Sequence, residues 1–143
     1  MTLPRFGVDT AIWISLFERN PRFERTLSGL LAGVIRGEAL AVVSTLAILE
    51  VLTGAYRRRD EALAEKYREL FLNTAGVVVV PVDSVIASEG ARIRVRYNVA
   101  TPDALHLATA LVSGAPTFLT TDRRLSRVRE IDVKVVKPVA GKI

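Results

Sequence analysis

The chain has 143 residues, 50% of them hydrophobic, with 20 Lys and Arg against 15 Asp and Glu, a formal net charge of +5. That length suits one domain with a sizeable core. There is no cysteine and a single histidine, which excludes disulfides, zinc knuckles and thiol catalysis and speaks against a histidine-built metal site or a histidine-paired nucleophile.

A pI of about 10.1 favours a polyanionic partner such as nucleic acid. The apolar fraction is high for a small monomer, so part of the surface is expected to be covered by a partner. The opening "MTLPRFGVDT" lacks a signal-peptide pattern. The most apolar stretch, "ALAVVSTLAILEVL", is interrupted by Ser44, Thr45 and Glu50 and is too short to span a membrane. A cytoplasmic protein is expected.

Along the chain, short β-like runs alternate with longer helix-like ones. "RFGV" (5–8) predicts a strand and "TAIWISLFERN" (10–20) a helix, separated by Pro21 from a second helix at 22–37. "ALAVV" (39–43) predicts a buried strand, followed by helices at 44–60 and 60–74. "GVVVVPV" (76–82) is the clearest strand, β-branched and bounded by Gly76 and Pro81. Asp83 and Ser84 are good caps for the next segment. Its "RIRVRY" alternates like a strand, but Ile86, Gly90, Ile93 and Tyr97 share a helical face, and the helix is preferred. A helix at 102–114, a strand at 117–121, a short turn "DRRLSRV" and a strand at 133–137 complete the pattern.

Strands without polar alternation, separated by helices, predict an α/β fold: a three-layer sandwich with a mainly parallel sheet of about five strands. Such sheets bind ligands outside the carboxyl ends of their strands. Asp9 and Asp122 each follow a strand at that edge. The helix at 102–114 feeds the fourth strand through a very short connection and must run opposite to it, so Asp103 at its start faces the same edge. Glu50 lies about two turns into the helix leaving the second strand, and its Cβ leans back toward the helix start.

Each acid alone has a plain explanation. Asp9 can cap a helix, Asp103 can favour a helix N-terminus, and Asp122 can cap a turn or pair with Arg123. Glu50 is different: its sequence and helical neighbours supply no base, and an unpaired buried carboxylate is costly. Gathered together, such carboxylates repel one another and resist ionisation, a conflict that a divalent cation removes. Oxygen ligands without Cys select a hard ion, Mg²⁺ or Mn²⁺. Such ions make water nucleophilic and stabilise charge on phosphate, so phosphodiester hydrolysis is the expected chemistry.

"VDTA" after the first strand, "STLAILEV", "PDALHLATAL" and "FLTTDRRL" together resemble the PIN-domain nuclease family and, within it, the VapC-like toxins of toxin–antitoxin pairs. The likeness runs over nearly the whole chain. It implies a compact α/β fold and an Mg²⁺- or Mn²⁺-dependent endoribonuclease. The acidic site residues it implies are Asp9, Glu50, Asp103 and Asp122. It also implies a homodimer and a cognate antitoxin whose tail covers the active site. Thr10 and Thr120 fall where family members carry hydroxyls near the metal. The sequence departs from the pattern at Ala11, where many members are polar, and at Arg123 and Arg124, where some carry a further acid.

Arg123 and Arg124 flank the expected site and are candidates for substrate phosphate contact. His106 reads as a packed helix residue without a catalytic role. The helix around Trp13 is apolar nearly all round, which core burial explains in part and a dimer or antitoxin surface explains in the remainder. Two alternatives to the toxin stay open: a non-catalytic PIN-fold module that binds RNA or a partner, and a housekeeping RNA-processing nuclease.

Overall fold

The computed structural model describes residues 3–18 and 21–137, apart from the side chains of 22–26. The elements in chain order are β1 (Arg5–Val8), α1 (Thr10–Phe17), α2 (Pro21–Ile35), β2 (Leu40–Ser44), α3 (Thr45–Arg57), α4 (Glu61–Asn73), β3 (Val77–Val80), α5 (Ser84–Tyr97), α6 (Thr101–Val112), β4 (Thr117–Thr120), a 3-10 turn (Arg123–Arg127) and β5 (Asp132–Val135). The five strands form one sheet in the order β3-β2-β1-β4-β5, and every pair is parallel. The expected α/β architecture with helices on both faces is therefore present. The helical reading of "RIRVRY" holds, with Ile86, Gly90 and Ile93 on the buried face of α5.

The ends of the elements move by a few residues from the sequence pattern, each for a local reason. Pro21 opens α2 instead of separating two helices, since a first-turn residue needs no N–H. The end of the expected helix 10–20 reaches residues 19 and 20, which lie outside the described residues. α3 stops at Arg57, because Arg59 has φ of 56° and Asp60 caps α4 by accepting from the Leu63 amide. β3 ends at Val80, before Pro81 removes a ladder donor. The expected turn after β4 is one short 3-10 helix.

Strand faces sort the core into two halves. Phe6, Val8, Ala41 and Val43 point toward α1–α4, where Trp13, Phe17, Tyr67 and Phe71 pack ring against ring with centroids 5.0–5.8 Å apart. Each fully buried ring removes apolar area worth about 1.5–3 kcal/mol. The apolar helix α1 thus buries Ile12 and Trp13 and leaves Ile14 exposed. On the other face Phe118 packs with Ile86, Ile93, Leu107 and Leu125. No helix among the described residues is long and apolar enough to cross a membrane.

Two features aim α6 at the carboxyl edge. Gly114, with φ of +78°, turns the chain directly from α6 into β4, so the two run in opposite directions. Buried Ala104, Ala108 and Ala110 let α6 lie close on the sheet. The closest approach is at Gly7 on β1, where an added Cβ would sit 2.4 Å from Ala110 Cβ and 2.8 Å from a Phe118 ring carbon. Gly7→Ala should therefore cost about 1–3 kcal/mol in urea unfolding through overpacking. Gly54→Ala, in an open position on α3, should raise stability by up to about 1 kcal/mol.

Candidate functional site

Asp9 leaves β1 at the centre of the sheet. Its amide donates to the Leu119 carbonyl at 2.9 Å, extending the β1–β4 ladder by one residue. Its side chain caps α1: Oδ1 accepts from the Thr10 amide at 2.8 Å. Oδ2 accepts from the Thr120 hydroxyl at 2.6 Å. Asp9 and Thr120 are both buried. Thr120 Oγ1 accepts in turn from the Asp122 amide at 3.0 Å. One threonine thus links the first and the fourth acid.

Thr10 faces the other way, toward α3. Its hydroxyl donates to Glu50 Oε1 at 2.9 Å, and His106 Nε2 donates to the same oxygen at 2.6 Å. Because a carboxylate only accepts, the imidazole carries a proton on Nε2. The His106 side chain is 2% exposed, and its Nδ1 has no hydrogen-bond partner among the described residues. The His106 hydrogen bond holds the Glu50 carboxyl below its ordinary range, against a smaller opposing effect of burial. This corrects the sequence reading on two points. Glu50 does have a basic partner, 56 positions away on α6. His106 is not mere packing: it stands one turn after Asp103 and fixes an acid of the site.

Asp103 lies in the first turn of α6, half-buried, with no side-chain cap at that helix start. Burial pushes its carboxyl up, and the charges of Asp9 and Asp122 push it further; His106 and Arg124 oppose weakly. Asp122 caps the 3-10 turn and accepts from the Arg124 amide at 2.9 Å. The Arg124 guanidinium grips it with both prongs, Nε to Oδ1 at 3.1 Å and a terminal nitrogen to Oδ2 at 2.9 Å. That pair lowers the Asp122 carboxyl. Asp103, Asp122, Arg124, Arg127 and Asn98 border a cleft of about 70 Å³. Arg123 is exposed at its edge and forms no ion pair among the described residues.

Asp9, Asp103 and Asp122 thus act on one another at the sheet edge, and Glu50 joins them through Thr10. As the side chains stand, no three His, Asp or Glu groups among the described residues are arranged as a ligand set for one ion. Glu50 is turned to His106 and Asp122 to Arg124. The donor chemistry nevertheless suits a hard cation: oxygens only, from several carboxylates, one of them raised by burial and then by its anionic neighbours.

The family model described as PIN domain matches residues 7–131. The chain belongs to the PIN domain family. No curated protein matches it in sequence. Solved structures share the fold at low identity. VapBC2 from Rickettsia felis, bound to a promoter DNA fragment, is 14% identical with a TM-score of 0.71, covering 92% of this chain and 98% of that one. A toxin–antitoxin complex from Klebsiella pneumoniae is 20% identical with a TM-score of 0.70, covering 93% and 98%. VapC20 from Mycobacterium tuberculosis, described as a sarcin–ricin loop cleaving toxin, is 22% identical with a TM-score of 0.63, covering 79% and 86%. Among the fold neighbours of this PIN domain are proteins described as toxins or as parts of toxin–antitoxin complexes.

The raised Asp103 carboxyl carries a stability consequence. Its folded value lies above the ordinary 3.8, so the native state binds the extra proton and stability falls as pH rises through that window. At neutral pH the full penalty is present. Asp103→Asn should therefore melt above the wild type at pH 7 without divalent ions, and the gain should vanish below the ordinary aspartate value, as thermal melts across pH would show.

Proposed function

We propose that this PIN domain is an Mg²⁺- or Mn²⁺-dependent endoribonuclease, acting as the toxin of a toxin–antitoxin pair. One observation supports the reading: Asp9 and Asp122 directly follow the adjacent parallel strands β1 and β4, and Asp103, in the first turn of α6, borders the same cleft as Asp122. Asp9, Glu50, Asp103 and Asp122 are the residues that would hold the ion. When bound, the ion supplies a nucleophilic water near neutral pH and offsets charge on the phosphate.

The chain's own groups do the rest. Thr120 and the Thr10 amide fix both oxygens of Asp9, so this carboxylate would present one orientation to a bound ion. His106 and Thr10 hold Glu50 ionised at the rim. Arg123 and Arg124 lie on the exposed turn beside the cleft, where they can take the flanking phosphates of an RNA strand. The basic net charge adds a sequence-independent attraction for the polyanion.

The toxin assignment is supported by the fold neighbours, among them a toxin described as cleaving a ribosomal RNA loop. A cognate antitoxin and a second copy of the chain are the proposed protein partners, and the cytoplasm the proposed compartment. Exposed apolar side chains support a covered surface: Val85 and Val95 on α5 are 59% and 88% exposed, and Leu49 on α3 is 61%. The placement of Glu50 on His106 and of Asp122 on Arg124 favours one second reading, a PIN-fold module that binds RNA without cutting it.

Incubation with total RNA and Mn²⁺, followed by mapping of the ends, separates the two. The nuclease reading expects discrete cuts that stop with chelator and fall by at least about 100-fold in Asp9→Asn or Asp103→Asn, at or beyond what residues around a metal cost. Binding insensitive to chelator, without cuts, would establish the module instead. His106→Ala should lower cleavage by about 10- to 100-fold and leave RNA affinity unchanged in filter binding, because His106 acts through Glu50.

A further inference from the structure

Among the four acids, Asp122 has a feature that the other three lack: a cation from its own chain covers both of its oxygens. The guanidinium of Arg124 takes Oδ1 and Oδ2 at 3.1 and 2.9 Å, in the fork geometry that makes arginine a carboxylate binder. Arg124 also exerts its charge on Asp103 across the same cleft. Three hydrogen bonds occupy three of the roughly four acceptor sites of this carboxylate, so an ion approaching Asp122 competes with the guanidinium for its oxygens. Among the described residues no other hydrogen bond or ion pair holds the arginine side chain, which is 79% exposed, while the Asp122 side chain is 26% exposed. The backbone amide of residue 124, donating to Oδ1 at 2.9 Å, and the Leu125 amide, donating to the Asp122 carbonyl at 3.2 Å, tie the turn to Asp122 independently of that side chain.

We propose that Arg124 is a resident counter-ion of the site, a built-in competitor whose two-pronged grip on Asp122 opposes ligation of a metal ion by this carboxylate. The inference rests on the metal-site reading above. In the metal-free protein the guanidinium neutralises one of three crowded carboxylates. When Asp122 becomes a ligand, the side chain swings off into solvent at the mouth of the cleft. The affinity for metal is then the intrinsic affinity reduced by the fraction of molecules in which Asp122 is uncovered. An exposed ion pair of good geometry corresponds to about two- to fivefold in such an equilibrium. The competitor trims affinity without blocking the site.

The test is a titration of the full-length protein with Mn²⁺, read as the loss of the free Mn²⁺ signal in electron paramagnetic resonance, with no RNA present. Wild type, Arg124→Gln, Arg124→Lys and Asp103→Asn are compared. Because the residue-124 amide stays in all of them, Asp122 keeps its orientation and the fold is not at stake. The expected result is a Kd for Mn²⁺ about two- to fivefold tighter in Arg124→Gln than in wild type. Arg124→Lys, which keeps the charge but not the two-pronged grip, should fall between them. Equal or weaker binding by Arg124→Gln, with Asp103→Asn abolishing the site, overturns the competitor and leaves the metal site standing. Lysine binding as wild type does would assign the effect to charge alone and also overturn displacement. If Mn²⁺ binds none of the proteins, or binds Asp103→Asn as well as wild type, the metal-site reading fails and the competitor fails with it.

Discussion

Burial and the charges of Asp9 and Asp122 together disfavour ionisation of Asp103 at the carboxyl edge of the sheet, and the neighbouring acids are each held by different groups. The sheet creates the problem. Its order brings β1 and β4 side by side at the centre, so the acids that follow them leave from adjacent strand ends. The tight turn at Gly114 then reverses the chain and returns the start of α6 to the same edge. In a dielectric lower than water each added negative charge makes the next ionisation harder. Burial, and after it the charges of Asp9 and Asp122, raise the Asp103 carboxyl, which has no ion pair among the described residues.

The other acids are each relieved by a different device. Asp9 is held by hydrogen bonds from Thr120 and the Thr10 amide, fixed groups that orient it without adding charge. Glu50 is held by the buried His106 and Thr10 in a part-buried cluster. Asp122 is held by an exposed arginine that leaves easily. The devices grade from rigid to mobile across the rim, from the buried side near β1 to the open cleft near the 3-10 turn. Such grading suits a site that must keep its shape while empty and still accept an ion: the rigid side is pre-organised, and the mobile side yields. The cost in stability falls on Asp103, the acid of these four without a side-chain hydrogen bond among the described residues.

Much of the fold was legible from the residues. Continuous apolar strands separated by helices implied a parallel sheet, and the β-branched run at 77–80 and the helical face of Ile86, Gly90 and Ile93 held in the structure. Element ends were less legible because capping sets them. Asp9, Ser44, Asp60, Asp83 and Asp122 all accept from backbone amides at the start of a helix or turn, so the same residue types serve both boundary and site. The common edge of the acids was also readable, since it follows from strand direction and one short connection. The identity of their partners was not. Glu50 lacks a base within its own helix, and nothing local to it points to a histidine 56 positions along; only the packing of α3 and α1 against α6 brings the two together. Arg124 could be named from "DRRL" as a residue near the site, but whether it faced the substrate or its neighbour Asp122 depended on a side-chain rotation that spacing does not encode.

The central claim is that this rim is a cation site completed by carboxylates from distant parts of the chain. Anomalous diffraction at the manganese edge, from crystals of the wild-type protein soaked in Mn²⁺, tests it most directly. The account predicts an anomalous peak within coordination distance of Asp9, Asp103 and Asp122, with Arg124 turned away from Asp122. A map with no peak at this edge of the sheet, or with manganese bound only elsewhere on the protein, would contradict it.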